Sequence, residues 1–586
     1  MLACTRESSA SHHVYRFPQR SCHKMDYMPE VTFVDAQMVF DIRETAKEAH
    51  ERGLLAATKW ALELLRAVPE ERRVRPPPAP DAATPQTEAE LREEEVFELA
   101  RKAVDEKQHA RAEHLLRDSR SDKAVFLRTY SRYIVSEKKA LRDWHMLDAS
   151  RHQPPTPVNP LLTELYQSVE DVAEPWLLFL KALFLFRLAR REEAIDCVLL
   201  SIIALPWNWS AWTLLGDCID DPKTLAKHVQ KIMLPPSHPL IQMFMVRMMN
   251  EFYSATPNEL EICDQLLGQS FFPESLWIMS LRANVLYNLH AYPQAEDQFD
   301  AIMTIDPYRV DDLDVFANIL YAVENKEKLS MLAQFFLVLN KDRPEVCCLL
   351  GCHYSLRAEH EKSVKYFRRA TELDRTCFGA WTLMGIEYLE MTNFQAAVES
   401  FRRAVDVNPK DYRAWSGLGK AYGGMNMHPY ALYYHSRALR LRPEEAESWE
   451  DQAHALEVAG RHEDAIASFK RALEMDAPHH TTVFLRLANL LNTVGDVPGA
   501  AEYAQAAVAQ GEAHTRPVEY YAKALVAAAE YQLRLPNGDW LRAREYLERV
   551  GSASAVDEAT GAKVAELMKA VKAKLQARAS FGVILD

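Results

Sequence analysis

The side chains most open to a chemical reading are Cys347, Cys348 and Cys352 with His353. Thiolate and imidazole are the ligands zinc prefers, and a structural zinc site takes four of them, commonly delivered by C-x2-C steps. No such step occurs here. On a helix, Cys347 is the counterpart of Trp381 in the next unit of a repeat, so these thiols read as small buried apolar groups. His12-His13 and His479-His480 are isolated and read as surface pairs. Met243, Met245, Met248 and Met249 fall at helical spacing, which suits core or interface filler. The G-x-S-x-G, phosphate-loop and H-E-x-x-H patterns are missing. The expectation is a protein with no catalytic residues, no metal and no cofactor.

The chain that must position these side chains reads as helical. It has 586 residues, 48% hydrophobic, with only 18 glycines, which disfavours glycine-loop folds and many-turned β architectures. Its 69 Lys+Arg against 83 Asp+Glu give a net charge of −14. That lacks the positive field that nucleic acid requires and permits recognition of basic peptides. Nine scattered cysteines suit a reducing compartment. Met1 to Met28 has no apolar signal core, and the apolar stretch Trp176 to Leu188 is too short to span a bilayer. These features predict a soluble protein of nucleus and cytoplasm, bound to neither nucleic acid nor membrane.

One period organises the second half. Trp381, Trp415 and Trp449 are evenly spaced, and the same step separates Gly351, Gly385 and Gly419, and Tyr354, Tyr388 and Tyr422. Ala370, Ala404, Ala438 and Ala472 keep that step, as do Phe367, Phe401 and Phe469 with His435 between them. Pro409 and Pro443 close two units. This W-x2-[LM]-G-x2-Y…A…F…A…P pattern is that of the tetratricopeptide repeat, a helix pair that stacks into a superhelix with a concave surface. The fold class is therefore all-α, an α-solenoid. Trp381, Met384 and Tyr388 share a face of a first helix, Gly385 and Ala397 let the two helices approach, and Pro409 stops the second.

The register divides the chain. Residues 344–514 form the regular array, in units 344–377, 378–411, 412–445 and 446–479, with a one-residue slip into 481–514. Residues 175–343 hold central units that degenerate around Asp220-Asp221-Pro222 and Pro235-Pro236, with 310–343 weak. Residues 31–170 read as divergent helical repeats broken by Pro-rich loops at 74–88 and 148–160. Residues 1–30 read as disordered, 515–578 as further helices and 579–586 as a tail. Thr84-Pro85 and Thr156-Pro157 are dipeptides that a proline-directed kinase would recognise.

Several strings are more specific than the repeat: Ala380-Trp381-Thr382-Leu383-Met384-Gly385, Asp411-Tyr412-Arg413-Ala414-Trp415, Leu441-Arg442-Pro443, Asp306-Pro307-Tyr308-Arg309 and Arg52-Gly53-Leu54-Leu55. With these the chain resembles subunit 8 of the anaphase-promoting complex, a multisubunit ubiquitin ligase, over most of 35–475. The resemblance implies a non-catalytic subunit that forms homodimers through N-terminal repeats and stacks with other repeat and scaffold subunits. It further implies a groove that receives an Arg-containing motif, the C box, of a coactivator.

That groove would be lined by first helices, with Cys352, Thr382, Glu387, Glu390, Ser416 and Lys420 as candidate contacts. A guanidinium prefers a planar carboxylate, which puts Glu387 first and Glu390 second; the family often carries an amide where Cys352 stands. The alternative is a free-standing repeat adaptor or co-chaperone for an acidic peptide, a class that uses a basic clamp where this chain has Glu387 and Glu390.

Overall fold

The computed structural model describes residues 32–73, 88–147, 159–475, 480–513, 518–535, 538–552 and 558–582. The N-terminal 1–30, His12-His13, nearly all of both Pro-rich segments with their Thr-Pro dipeptides, His479 and the last four residues lie outside these.

Every regular element among the described residues is helical. The first six helices are α1 (Ala36–Glu51), α2 (Leu55–Ala67), α3 (Glu88–Asp105), α4 (His109–Leu115), α5 (Asp122–Leu147) and α6 (Leu162–Gln167). Then come α7 (Pro175–Arg187), α8 (Arg191–Ala204), α9 (Trp209–Cys218), α10 (Pro222–Val229), α11 (Pro239–Glu251) and α12 (Pro257–Leu266). Two pairs lead into the array: α13 (Leu276–Asn288) with α14 (Tyr292–Ile305), and α15 (Leu313–Ala322) with α16 (Lys326–Asn340). The array comprises α17 (Pro344–Ser355) with α18 (His360–Leu373), α19 (Phe378–Glu390) with α20 (Phe394–Val407), and α21 (Tyr412–Gly424) with α22 (His428–Leu441). It continues as α23 (Ala446–Val458) with α24 (His462–Glu474), and α25 (His480–Val494) with α26 (Val497–Ala513). The chain ends in α27 (Val518–Arg534), α28 (Trp540–Gly551) and α29 (Glu558–Gly582); the last helix runs through 579–582, where the sequence suggests a tail.

Three interactions recur at the repeat period. The first is the close approach of paired helices. A methyl group on Gly385 would stand 2.7 Å from the Phe401 ring, one on Gly351 2.4 Å from Phe367, and one on Gly419 2.5 Å from His435. Glycine is thus required there by the ring pressed against the backbone, and Phe367 and Phe401 are fully buried. Ala397 is buried as well. The second is a link between tryptophan and the loop that precedes its helix. The indole N–H of Trp381, Trp415 and Trp449 donates to the carbonyl six residues earlier, on Arg375, Pro409 and Pro443, at 3.2, 2.9 and 2.8 Å. Trp212 does the same to Pro206 at 2.7 Å. Cys347, at the tryptophan position, is buried, with its sulfur 3.6 Å from the Lys341 carbonyl.

The third is the turn between paired helices. His290, Glu324, Ala358, Thr392, Asn426 and Gly460 have positive φ and recur at the constant step of the repeat; Gly495 follows with the one-residue slip. Each first helix ends on a left-handed residue, after which the next N–H returns to a carbonyl five residues back, as from Asn393 to Tyr388 at 2.8 Å and from Met427 to Tyr422 at 2.9 Å. This arrangement satisfies carbonyls that the helix end leaves open. Only two of these seven residues are glycine, so the period persists in the backbone through 310–343, where side chains show it weakly.

The superhelix also meets itself. Val34 N–H donates to the Ser270 carbonyl at 3.0 Å, and Arg72 Nη1 donates to the same oxygen at 2.6 Å. Trp60 of α2 stacks on Trp209 of α9, centroids 4.5 Å apart, and both meet Trp277 edge-on.

Gly385→Ala is expected to lower the melting temperature, because overpacking against a fixed ring costs about 1–3 kcal/mol. Gly379→Ala, with no atom within 4 Å of the new methyl, is expected to leave it unchanged or raise it by up to about 1 kcal/mol of stability. Thermal denaturation of the two variants checks the contrast.

Candidate peptide-binding groove

In the array, α17, α19, α21 and α23 form one wall, each joined to the next through its own second helix. Side chains at matching positions of successive first helices point along this wall. The sequence candidates occupy it at different depths.

Glu387 lies under the surface, 3% exposed, with both oxygens engaged. The Ser355 hydroxyl donates to Oε1 and His360 Nδ1 lies 2.8 Å from Oε2. Glu390, one turn on, is exposed. Thr382 is buried, its hydroxyl 3.0 Å from Asp411 Oδ2. Ser416 is buried and donates to Asp451 Oδ2 at 2.9 Å. Lys420 reaches solvent, its Nζ donating to Glu447 Oε1 at 2.8 Å and Asp451 Oδ2 at 3.1 Å. Cys352 is buried, its sulfur 3.7 Å from Asn318 Oδ1. Glu390 and Lys420 are therefore presented to water, whereas Cys352, Thr382, Glu387 and Ser416 lie beneath the surface and brace the wall. The amide expected at the Cys352 position is supplied beside it by Asn318, its counterpart in the preceding unit.

Sequence reading passed over the carboxylates that organise this wall. Asp411 caps α21 and is fully buried, accepting from Thr382 and from Arg413. Asp451 accepts from Ser416 and Lys420. Glu447, Glu450 and Asp451 crowd the start of α23, and burial, then Asp451 and Glu447, push the Glu450 carboxyl up to about 7. Asp451 is also raised, chiefly by burial and against the pull of Lys420. Burial opposes the Lys420 charge, but Asp451 and Glu447 outweigh it and hold the ammonium well above its usual range. A signal was available: acidic residues recur at the inward positions of the unit 446–479.

The wall can thus offer carboxylates to a cationic side chain, with Glu390 exposed and Glu387 reached by displacing Ser355 or His360. Among the described residues, no group of three or more His, Cys, Asp or Glu is placed to hold a metal ion, and no helix is long and apolar enough to cross a membrane. The thiols of Cys347, Cys218 and Cys263 are pushed by burial up to about 11, 12 and 12, which disfavours the thiolate that metals require.

Residues 37–283 match the family described as anaphase promoting complex subunit 8 / Cdc23, and residues 344–377, 382–422, 431–480 and 451–515 match tetratricopeptide repeats. The chain is 31% identical over 380 residues to "Anaphase-promoting complex subunit 8" of Arabidopsis thaliana, covering 59% of this chain and 64% of that protein. It is 34% identical over 310 residues to "Cell division cycle protein 23 homolog" of Homo sapiens, 50% of this chain and 49% of that one. It is 34% identical over 230 residues to "Anaphase-promoting complex subunit CDC23" of Saccharomyces cerevisiae, 37% and 36% respectively. In each case the match spans less than two thirds of the relative. The crystal structure titled "APC/C hetero-tetramer Cut9-Hcn1" is similar in fold at a TM-score of 0.56 and 14% identity, over 81% of this chain and 89% of that one.

Glu450 yields a pH prediction. Its folded pKa of about 7 lies above the ordinary 4.5. Between those values the folded chain therefore binds the extra proton, and stability falls as pH rises through this window. Glu450→Gln is expected to raise the melting temperature at pH 7.5 but not at pH 4.5, as thermal melts at the two values would read.

Proposed function

We propose that this chain, whose residues 37–283 match the family described as anaphase promoting complex subunit 8 / Cdc23 with tetratricopeptide repeats behind them, is a non-catalytic scaffold and adaptor subunit of that cell-cycle ubiquitin ligase. The observation that carries the reading is the domain match over 37–283 in a chain whose described residues are stacked helix pairs. In this role the chain forms homodimers through its N-terminal repeats in nucleus and cytoplasm and stacks with other repeat and scaffold subunits. Its array groove takes the Arg-containing motif of a coactivator. Ubiquitin transfer occurs on other subunits.

The acidic wall supports an arginine-bearing ligand. Glu390 stands at the surface, Glu387 is held by neutral or titratable partners, and Glu447, Glu450 and Asp451 crowd around Lys420. A co-chaperone clamp for an acidic peptide would need the opposite charge, and Lys420 is already committed to Glu447 and Asp451.

Glu387→Arg and Glu390→Arg are each expected to weaken binding of a coactivator N-terminal peptide about tenfold or more, since a hydrogen bond to a charged group contributes roughly 1.5–3 kcal/mol, while the dimer persists. Unchanged affinity in both, read by titration calorimetry, removes these carboxylates from the site. Deletion of residues 31–170 is expected to give monomers by light scattering. Purification from mitotic cells is expected to recover cullin and RING subunits; chaperones alone would favour the free-standing adaptor.

A further inference from the structure

The start of α21 and the loop before α23 rest on the ends of three central helices. Lys410, in the loop before α21, donates from Nζ to the carbonyls of Gly216 at 3.3 Å and Ile219 at 2.5 Å, at the C-terminus of α9, and its ammonium lies 4.9 Å from the Phe252 ring. Arg413, at the start of α21, donates from Nη2 to the Tyr253 hydroxyl at 3.1 Å, and its guanidinium sits over that ring at 5.4 Å. Tyr412 meets the same tyrosine edge-on at 5.2 Å. Arg442, in the loop before α23, donates to the Asn288 carbonyl at 3.0 Å, at the end of α13, and to the Tyr412 hydroxyl at 3.2 Å. The hydrogen-bonded facing partners lie 154 to 194 residues apart in sequence. Three cations therefore face a row of helix C-termini, the ends that carry partial negative charge and open carbonyls.

Phe252 and Tyr253 terminate α11, and Tyr253 takes a φ of 53°, in the same left-handed turn that ends the first helices of the array, with Ser254 N–H returning to the Met249 carbonyl at 3.0 Å. The Tyr253 ring is held between Arg413 and Tyr412. This is the part of the chain where the repeat pattern is poorest.

The contact also runs into the groove wall. Arg413 Nε donates to Asp411 Oδ1 at 3.0 Å, and the other oxygen of that buried carboxylate accepts from Thr382 on α19. One chain of polar contacts thus leads from Tyr253 through Arg413 and Asp411 to the helix that bears Glu387 and Glu390.

We infer that Lys410, Arg413 and Arg442 form an axial latch between successive superhelical turns, and that Arg413 is a positioning residue for the groove wall, acting on α19 through Asp411 and Thr382. The inference concerns the wall that the proposed function uses, but its test needs no ligand.

The experiment combines small-angle X-ray scattering with hydrogen exchange on the full chain, for Arg413→Gln, Tyr253→Phe, Lys410→Met and Arg413→Lys. The expected result is a longer maximum dimension in Arg413→Gln and Lys410→Met. Amide exchange should rise by roughly tenfold, the effect of losing about one charge-assisted hydrogen bond, in α9, α11, α19 and α21, while α25 and α26 stay at the wild-type rate. Tyr253→Phe should give a smaller rise in the same helices, and Arg413→Lys should restore part of the protection. Unchanged dimensions with unchanged exchange would overturn the latch. Faster exchange spread evenly over α25 and α26 would mean general destabilisation and would overturn the positioning role. If Arg413→Gln does not fold, Tyr253→Phe and Lys410→Met decide the question alone. Failure of the wild type to bind the coactivator peptide would count against the proposed function and leave these readouts standing.

Discussion

An aromatic ring pressed against a helix backbone is the contact on which this architecture depends. Phe367 and Phe401 can reach Gly351 and Gly385 because those positions have no side chain, and the pairs so formed expose an apolar flank that only another pair can cover. Burying such a ring contributes roughly 1.5–3 kcal/mol, and it does so at one site per unit. The tryptophan-to-carbonyl bond then ties each first helix to the loop that precedes it. The left-handed turn at the other end fixes the angle at which the second helix returns. Close packing, the loop tie and the turn together give each unit one shape, and stacking that shape yields the concave wall.

The legibility of the fold followed the chemistry of these three contacts. The ring contact selects glycine facing Phe367, Phe401 or His435, and the loop tie selects tryptophan at 381, 415 and 449, so both print themselves in the sequence of the array. The turn tolerates His290, Glu324, Ala358, Thr392 and Asn426, so it leaves almost no residue signature. For that reason 310–343 looked weak while its backbone keeps step. In the middle of the chain Tyr253 keeps the same left-handed turn while its ring also meets Arg413 and Tyr412 of the array.

The groove was legible in position more than in depth. The candidate residues lie on first helices at different depths, since a periodicity gives direction around a helix and not the thickness of what lies over it. Glu387 points inward and is nonetheless covered by Ser355 and His360, which come from the preceding unit. Asp411 and Asp451 escaped notice because their roles depend on Thr382, Arg413, Ser416 and Lys420 arriving together from neighbouring units. The resulting wall is a network of carboxylates with fewer cations than it would take to neutralise them, and its charge is therefore a property of the stacked units, not of any single helix.

Linear repeat proteins are ordinarily free to gain or lose modules, because each touches only the one before and the one after. Here Lys410 reaches Gly216, 194 positions earlier in the chain. Duplication or loss of a single module between them would carry every facing pair out of alignment, rotating cations away from the carbonyls they need. The number of modules in that stretch is thus counted by the molecule itself, and lineages that lengthen such an array would have to do so beyond Arg442 or rebuild the facing surfaces at the same time.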